Sequence, residues 1–335
     1  MEYKSLNVSA FGEKELINRI INKNNMNSNL TFKNYLGDDA AVLNINTNHL
    51  IATSDMQIQS HHFPKQMSHF QMGFKVVTVN VSDIAAMGGE PIGFLLSMAI
   101  PKMLKLSDFD EIVDGVISAC NYYNLPLIGG DTNESDEIIL SGTALGKVNK
   151  NKQLLKSGFK NGDLVAISGK LGLAALGFEL LNEFNKTEDD LINLAISKAL
   201  NPRSKIQEGQ ILKDFASSAT DITDGLSEEL YELFDADHLK HTSNHGIKIY
   251  ESKLPIDENF IKLANKINQN PLKLFFNVGE DFELLFTFDK SLVDDLSKLM
   301  DFYVIGEIND LNKIEIVYSN GDVETLSRKG YEHLK

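Results

Sequence analysis

Only one cysteine, Cys120, occurs among 335 residues. No disulfide can close within the chain, and no cysteine-based zinc site can form. That usage fits a reducing cytoplasm. Positive charge is also scarce: 32 Lys+Arg stand against 47 Asp+Glu, giving a formal net charge of −15. Acids outnumber bases in both halves, which argues against nucleic acid as a partner. An acidic protein that handles phosphates needs metal ions to bridge like charges. Long apolar runs are missing too. The longest, around PIGFLLSMAIP (91–101), is far too short to span a bilayer. The N-terminal MEYKSLNVSAFGEKELINRI has no apolar signal core. The expectation is a soluble cytoplasmic protein with no membrane partner. The common phosphate signatures are absent as well. No Gly-x-x-x-x-Gly-Lys-Ser/Thr loop occurs, and the nearest fragment, SGKLG (168–172), lacks both the earlier glycine and the following hydroxyl. Neither a dinucleotide fingerprint nor a protein-kinase motif set is present.

What remains is an ordinary globular composition, 42% hydrophobic and 24% charged, with a length that suits two domains. Glu15 to Ile21 starts as a short amphipathic helix. AVLNI (41–45) and HLIATSD (49–55) read as strands. Residues 68–87 read as a helix stopped by Gly88-Gly89. IGFLLSMAI (92–100) reads as a buried strand, and Ser107 as the cap of a helix over 108–123. PLIGG (126–130) and IILSGTALGKV (138–148) are further strands. A second unit begins near Leu155, with a strand at 163–169 and helices at 173–184, 187–200 and 205–216. SSATDITDG (217–225) is expected as a loop leading into the helix LSEELYELF (226–234). GIKIY, KLFFNVGEDFELLFTFD and FYVIGEI are expected as strands, and Asn320-Gly321 marks a closing hairpin. The pattern predicts two α/β or α+β units with a boundary near 148–160.

Acidic sites recur in one setting, the end of an apolar segment beside a small residue or hydroxyl. They are Asp38-Asp39, Asp55, Asp83, Asp131, and Asp221 with Asp224. Any one alone reads best as a cap or turn residue; their recurrence points to a site. Glu228-Glu229 and Asp294-Asp295 read as solvated helix faces. Carboxylates and hydroxyls without His or Cys clusters are hard oxygen donors suited to Mg²⁺ or Mn²⁺, and Mg²⁺ is commonly completed by substrate phosphates. Cys120, in an apolar helical pattern, reads as a buried core residue.

The order LGDDAAVL, ATSDMQIQSHHF, VNVSDIAAMGGEP, LIGGDT, SGFKNGD, TDITDGLSEEL, GEDFELLF and KGYEHL resembles the thiamine-monophosphate kinase family, within the aminoimidazole-ribonucleotide synthetase-like superfamily. The likeness runs from about Phe11 to Leu334. It implies an N-terminal α/β domain (1–150) for ATP and Mg²⁺ binding and dimerisation. It also implies a C-terminal α+β domain (151–335) that supplies metal and substrate residues, and a homodimer whose N-terminal sheets meet as a barrel. The implied metal ligands are Asp39, Thr53, Ser54, Asp55, Asp83, Asp131, Asp221 and Asp224, holding several Mg²⁺ ions. Gly130, Asp131 and Thr223 would contact ATP, the co-substrate. His62, Glu280 and Tyr331 would line the thiamine monophosphate site. Lys156 stands where the family usually has arginine; it reads either as a cation for ATP phosphates or as a solvated turn lysine. Val278 replaces a family glycine before Gly279-Glu280-Asp281.

The activity implied is ATP-dependent phosphorylation of thiamine monophosphate to thiamine diphosphate. The acceptor would be a phosphate oxygen with a second pKa of about 6, so no strong general base and no covalent nucleophile are required. Rival readings are another ATPase of the superfamily, such as an aminoimidazole-ribonucleotide synthetase, and a non-catalytic nucleotide- or metal-binding regulator.

Overall fold

The computed structural model describes residues 40–45, 48–181, 189–241 and 244–330. The helix expected at 15–21, with Asp38, Asp39 and Tyr331, lies outside these residues. The N-terminal unit contains β1 (Ala41–Ile45), β2 (Asn48–Ile58), the short helix α1 (Gln59–His62), α2 (His69–Ala86), β3 (Glu90–Ile100), α3 (Leu106–Tyr122), β4 (Leu127–Glu134) and β5 (Ile139–Asn149). Its mixed sheet has the order β1-β2-β5-β3-β4, with only the β3–β4 pair parallel.

Helix α2 forms where expected. Ser68 accepts from Gln71 N, and the Gln71 side chain returns to Ser68 N, a complete capping box. Fourteen of its residues are buried, because the sheet lies on one side and α3 and the second unit on the others. Ser107 does not cap α3: the N-cap is Lys105 without a side-chain bond, and Ser107 Oγ instead donates to Asp108 Oδ1 at 3.2 Å. The helix therefore begins two residues earlier than a Ser107 cap would place it.

The second unit contains β6 (Leu164–Ile167), α4 (Leu173–Leu180), α5 (Asp190–Leu200), α6 (Ile206–Leu212), β7 (Ala216–Asp221), α7 (Leu226–His241), β8 (Gly246–Tyr250), α8 (Glu258–Lys266), α9 (Pro271–Asn277), β9 (Leu284–Phe288), α10 (Val293–Leu296), β10 (Tyr303–Asn309), β11 (Ile314–Val317) and β12 (Val323–Thr325). The seven strands run β12-β11-β8-β10-β6-β9-β7.

Two expectations fail here. Residues 216–221 are a strand, not a loop, because β9 supplies a partner along Ala216–Asp221. PLKLFFN is a helix, not a strand: Asn270 accepts from Leu272 N and Lys273 N, and Pro271 sits in the first turn. The hairpin around Asn320-Gly321 does form, between β11 and β12, with Gly321 at φ +93°.

The two units share a core. Ala85 and Ala86 at the end of α2 pack with Leu154, Leu212, Ala219, Leu284 and Phe286. Helix α2 is thus buried by both units, which places its polar residues between them.

Candidate active site

Thr53, Ser54 and Asp55 follow one another on β2, so Thr53 and Asp55 share a face and Ser54 turns away. The Thr53 hydroxyl donates to Asp83 on α2. Asp55 N donates to Asn80 Oδ1 at 3.0 Å, and the fully buried Asn80 returns Nδ2 to Val76 O at 2.8 Å. Asn80 and Asp83 are three residues apart and share a side of the helix. The Thr53 hydroxyl and the Asp83 carboxylate therefore meet between β2 and α2, with Asp55 on the same face of the strand. Ser54 Oγ, on the other face, donates to Gly142 O at 2.7 Å.

Gly130 and Asp131 are not part of that convergence. Asp55, Gly142, Leu96 and Gly130 form one row across the sheet. Three strand spacings, roughly 14 Å, separate its ends. Asp131 stands on β4, the open edge strand, whose eight residues are all exposed. Gly130 is required there: at φ +155°, a Cβ would lie 1.7 Å from Leu96 O.

The second unit contributes two loops that touch. Asp221 ends β7 and is buried. Thr223 and Asp224 follow it. A Cβ on Gly279 would lie 1.7 Å from Thr223 O. Glu280 N donates to that same Thr223 O at 2.9 Å, and Phe282 N donates to Ile222 O at 3.0 Å. The nucleotide-side and substrate-side segments read from the sequence are thus one backbone-bonded structure. Val278, where the family has glycine, is extended at φ −119°, so a branched side chain fits without strain. Glu280 and Phe282 carry the positive φ values, +68° and +52°.

Glu229 organises the Thr223 loop. Its Oε1 accepts from Thr223 N at 3.2 Å, Thr223 Oγ1 at 3.4 Å and Asp224 N at 3.0 Å. Burial, with Glu232 and Asp224 nearby, pushes its carboxyl well above the usual range, and Lys156 opposes that rise. Glu228 is buried as well, bonded by Arg328 at 2.7 Å. Neither residue is on a solvated face: the Thr223–Asp224 loop takes up Glu229, and the chain at 327–330 folds back over Glu228. Ser227 Oγ donates to Ser327 O, and a Cβ on Gly330 would meet Asp224 O at 2.9 Å. The described chain therefore reaches the Asp224 loop one residue before Tyr331. Asp294 and Asp295 are exposed, as expected.

His62 ends the helical turn α1 and is half-buried, while His61 is exposed. Its Nδ1 accepts from Ile58 N at 2.9 Å. Asp281 has a different task from Glu280. It accepts from Gly172 N at 2.8 Å and Ala174 N at 3.4 Å at the start of α4, and desolvation pushes its carboxyl up to about 7. Cys120 is buried, its thiol pushed up to about 11 by desolvation, which leaves it unreactive.

Sequence reasoning missed Asn80, Glu229 and Lys75. A polar residue inside the apolar run MGFKVVTVNVSD was the available signal for Asn80 and Lys75. Glu229 gave none, since it stands beside Glu228 in a run that reads as the solvated side of its helix. Among the described residues, no three His, Cys, Asp or Glu side chains form a metal cluster. The Thr53 hydroxyl and Asp83 carboxylate that meet, with Asp55 on the same strand face, are hard oxygen donors and chemically a fit for Mg²⁺.

A thiamine-monophosphate kinase from Pyrococcus abyssi is 39% identical to this chain over 299 residues, covering 89% of the chain and 90% of that protein. The chain belongs to the thiamine-monophosphate kinase family. The family's enzyme from Pyrococcus horikoshii is 37% identical over 90% of the chain and 91% of its own length. The model of the AIR synthase related protein N-terminal domain matches residues 37–148, and the two-unit architecture with mixed sheets is that fold. The solved structure of a thiamine-monophosphate kinase relative, AaThiL complexed with AMPPCP and TMP, covers 98% of this chain and 99% of its own. Its TM-score is 0.84 at 28% identity.

Proposed function

We propose that this protein transfers the γ-phosphoryl group of ATP directly to thiamine monophosphate, yielding thiamine diphosphate and ADP. The observation that carries the reading is its alignment, over 89% of its length, with an enzyme of that name. A relative complexed with AMPPCP and TMP supports it across both units.

The chemistry needs two anions to approach in line, so the chief task is neutralising charge. Asp55, Asp83 and Thr53, with Asp39, Asp221 and Asp224, would hold Mg²⁺ ions; Ser54, on the opposite face of β2, and Asp131, on the β4 edge, would contribute to ions outside that group. Bound Mg²⁺ supplies Lewis-acid neutralisation of the phosphates. Gly130, Asp131, Thr223 and Lys156 would contact ATP, and His62, Glu280 and Tyr331 the acceptor. Thr53 fixes Asp83 by hydrogen bond, Asn80 fixes the Asp55 backbone, and Glu229 fixes Thr223 and Asp224. No nucleophile–base pair is used, so no phosphoenzyme forms. Residues 1–150 would act as the nucleotide and dimerisation domain and 151–335 as the domain completing the metal and substrate sites.

A homodimer closed by the N-terminal sheets fits the open edge of β4, where Leu127 and Ile128 are 41% and 51% exposed. Light scattering would give twice the 37.3 kDa chain mass, and a monomer would remove the barrel.

The test is incubation with ATP, Mg²⁺ and thiamine monophosphate, followed by separation of thiamine phosphates. Thiamine diphosphate with equimolar ADP is expected. Turnover of formylglycinamidine ribonucleotide alone would favour the synthetase, and nucleotide binding without turnover a regulator. Acid-quenched protein carrying label from γ-³²P ATP would exclude direct transfer.

A further inference from the structure

Lys75 stands in the middle of α2 among Val76, Val77, Val79 and Val81, all buried. Only 1% of its side chain meets solvent. An ammonium so placed is costly unless it is paired and hydrogen-bonded. Its Nζ donates to His62 O at 2.9 Å and forms an ion pair with Glu280 Oε2 at 2.5 Å. The Phe63 ring centroid lies 5.9 Å away. One buried cation therefore joins the turn at the end of β2 to a loop of the other unit.

Glu280 needs such a tether. It is a non-glycine residue at φ +68°, a conformation that persists only where its surroundings fix it. The Thr223 carbonyl holds its backbone N–H. Asp281, its neighbour, is bonded to the start of α4. Neither bond fixes the Glu280 carboxylate; Lys75 does. A purely packing role on this helix would be met by an apolar side chain of the same length, as elsewhere along α2.

We propose that Lys75 is a positioning residue for the acceptor site: it sets the Glu280 carboxylate and the His62 turn in register across the two units, so that both meet thiamine monophosphate together. The assignment rests on the kinase reading above. Lys75 holds Oε2 of Glu280 and leaves Oε1 as acceptor for the substrate. Its effect belongs to the acceptor, not the nucleotide, because neither of its partners belongs to the proposed ATP set.

Steady-state kinetics on full-length Lys75→Met, Lys75→Arg and Glu280→Gln test this, alongside calorimetric binding of AMPPCP. Lys75→Met is expected to raise KM for thiamine monophosphate by about tenfold or more while the AMPPCP affinity changes less than about threefold. Lys75→Arg keeps the charge but changes its shape, and gives an intermediate KM. In the Lys75→Met background, adding Glu280→Gln has much less effect than it has in wild type, the signature of a coupled pair. If Lys75→Met does not fold, Lys75→Arg against wild type carries the test: a raised acceptor KM with unchanged AMPPCP affinity supports the proposal. An acceptor KM equal to wild type in a folded variant overturns it. So does an equal loss of nucleotide and acceptor binding. Wild-type protein that makes no thiamine diphosphate overturns the kinase reading and this assignment with it. Wild-type turnover with an unchanged acceptor KM in the variants overturns the assignment alone.

Discussion

The ammonium of Lys156 lies 2.5 Å from Glu232 Oε2, with only 11% of the lysine side chain exposed. A solvated turn lysine is therefore ruled out, and the charge sits at the edge of the Glu229–Thr223 network. Lysine here keeps the cation that the family's arginine supplies but not its planar fork. Lys156→Met is expected to raise KM for ATP about tenfold while leaving KM for thiamine monophosphate nearly unchanged. Leaving Glu232 without this partner should also cost about 1–3 kcal/mol in urea unfolding.

Glu229 accepts three hydrogen bonds on one oxygen. Glu229→Gln retains an acceptor and removes the ionisation that burial opposes. It should fold and bind AMPPCP much as wild type does. Glu229→Ala leaves the Thr223 and Asp224 N–H groups without that acceptor, for a loss of about 1–3 kcal/mol and a clear weakening of AMPPCP binding by calorimetry. Equal nucleotide affinity in both variants would remove Glu229 from the organisation of this loop.

Asp281 gives stability a pH dependence of defined sign. Its folded-state pKa is raised from 3.8 to about 7 by desolvation, so the native state binds the proton more tightly than the unfolded chain. That contribution is complete below pH 3.8 and is lost as pH rises through about 7. Asp281→Asn still offers Gly172 N an acceptor but cannot ionise. Relative to wild type it should gain about 1–3 kcal/mol between pH 4 and pH 8, allowing for partial exposure of the residue. A wild-type-minus-variant difference that stays flat across this range would refute the assignment.

Asp55 and Asp83 should be separable from the fold. Each is only half-buried, and Asn is nearly isosteric. Asp55→Asn and Asp83→Asn are each expected to lower kcat by about 10²-fold or more with melting temperature within a few degrees of wild type. Near-normal turnover in either would take that residue out of the proposed metal set.

Gly130→Ala tests the close approach at the sheet edge. Its Cβ would overlap Leu96 O, at 1.7 Å, so β4 must shift away from β3. A loss of about 2–4 kcal/mol in denaturant unfolding is expected.

Much of this fold was readable from local pattern. The helix at 68–87 carries its own cap and stop, and it appears as Ser68-capped α2. The β5 and β10 segments appear within two residues of expectation because their apolar runs are bounded by turn residues. Failures came where a distant partner decides. Ala216–Asp221 looks like a polar loop until β9 pairs with it. LSEEL looks like a solvated helix face until residues 327–330 cover it. KLFFN looks like a strand because short apolar runs do not distinguish the two periods; Asn270 and Pro271 tip it to a helix.

The sequence by itself determined which residue types are available: hard oxygen donors at the ends of apolar segments, few cations, and a single thiol. It also determined the family, since ordered motifs survive in a linear string. Only the tertiary structure decided which of those residues meet. It brought Thr53 and Asp83 together between strand and helix, with Asp55 on the same strand face, and held Asp131 three strands away. It turned Glu229 inward and sank Lys75 between the units. The reason is physical: a charge inside an apolar run costs free energy whose compensation lies far off in sequence. Here it lies with Glu280, 205 residues away, reached only once the two units pack.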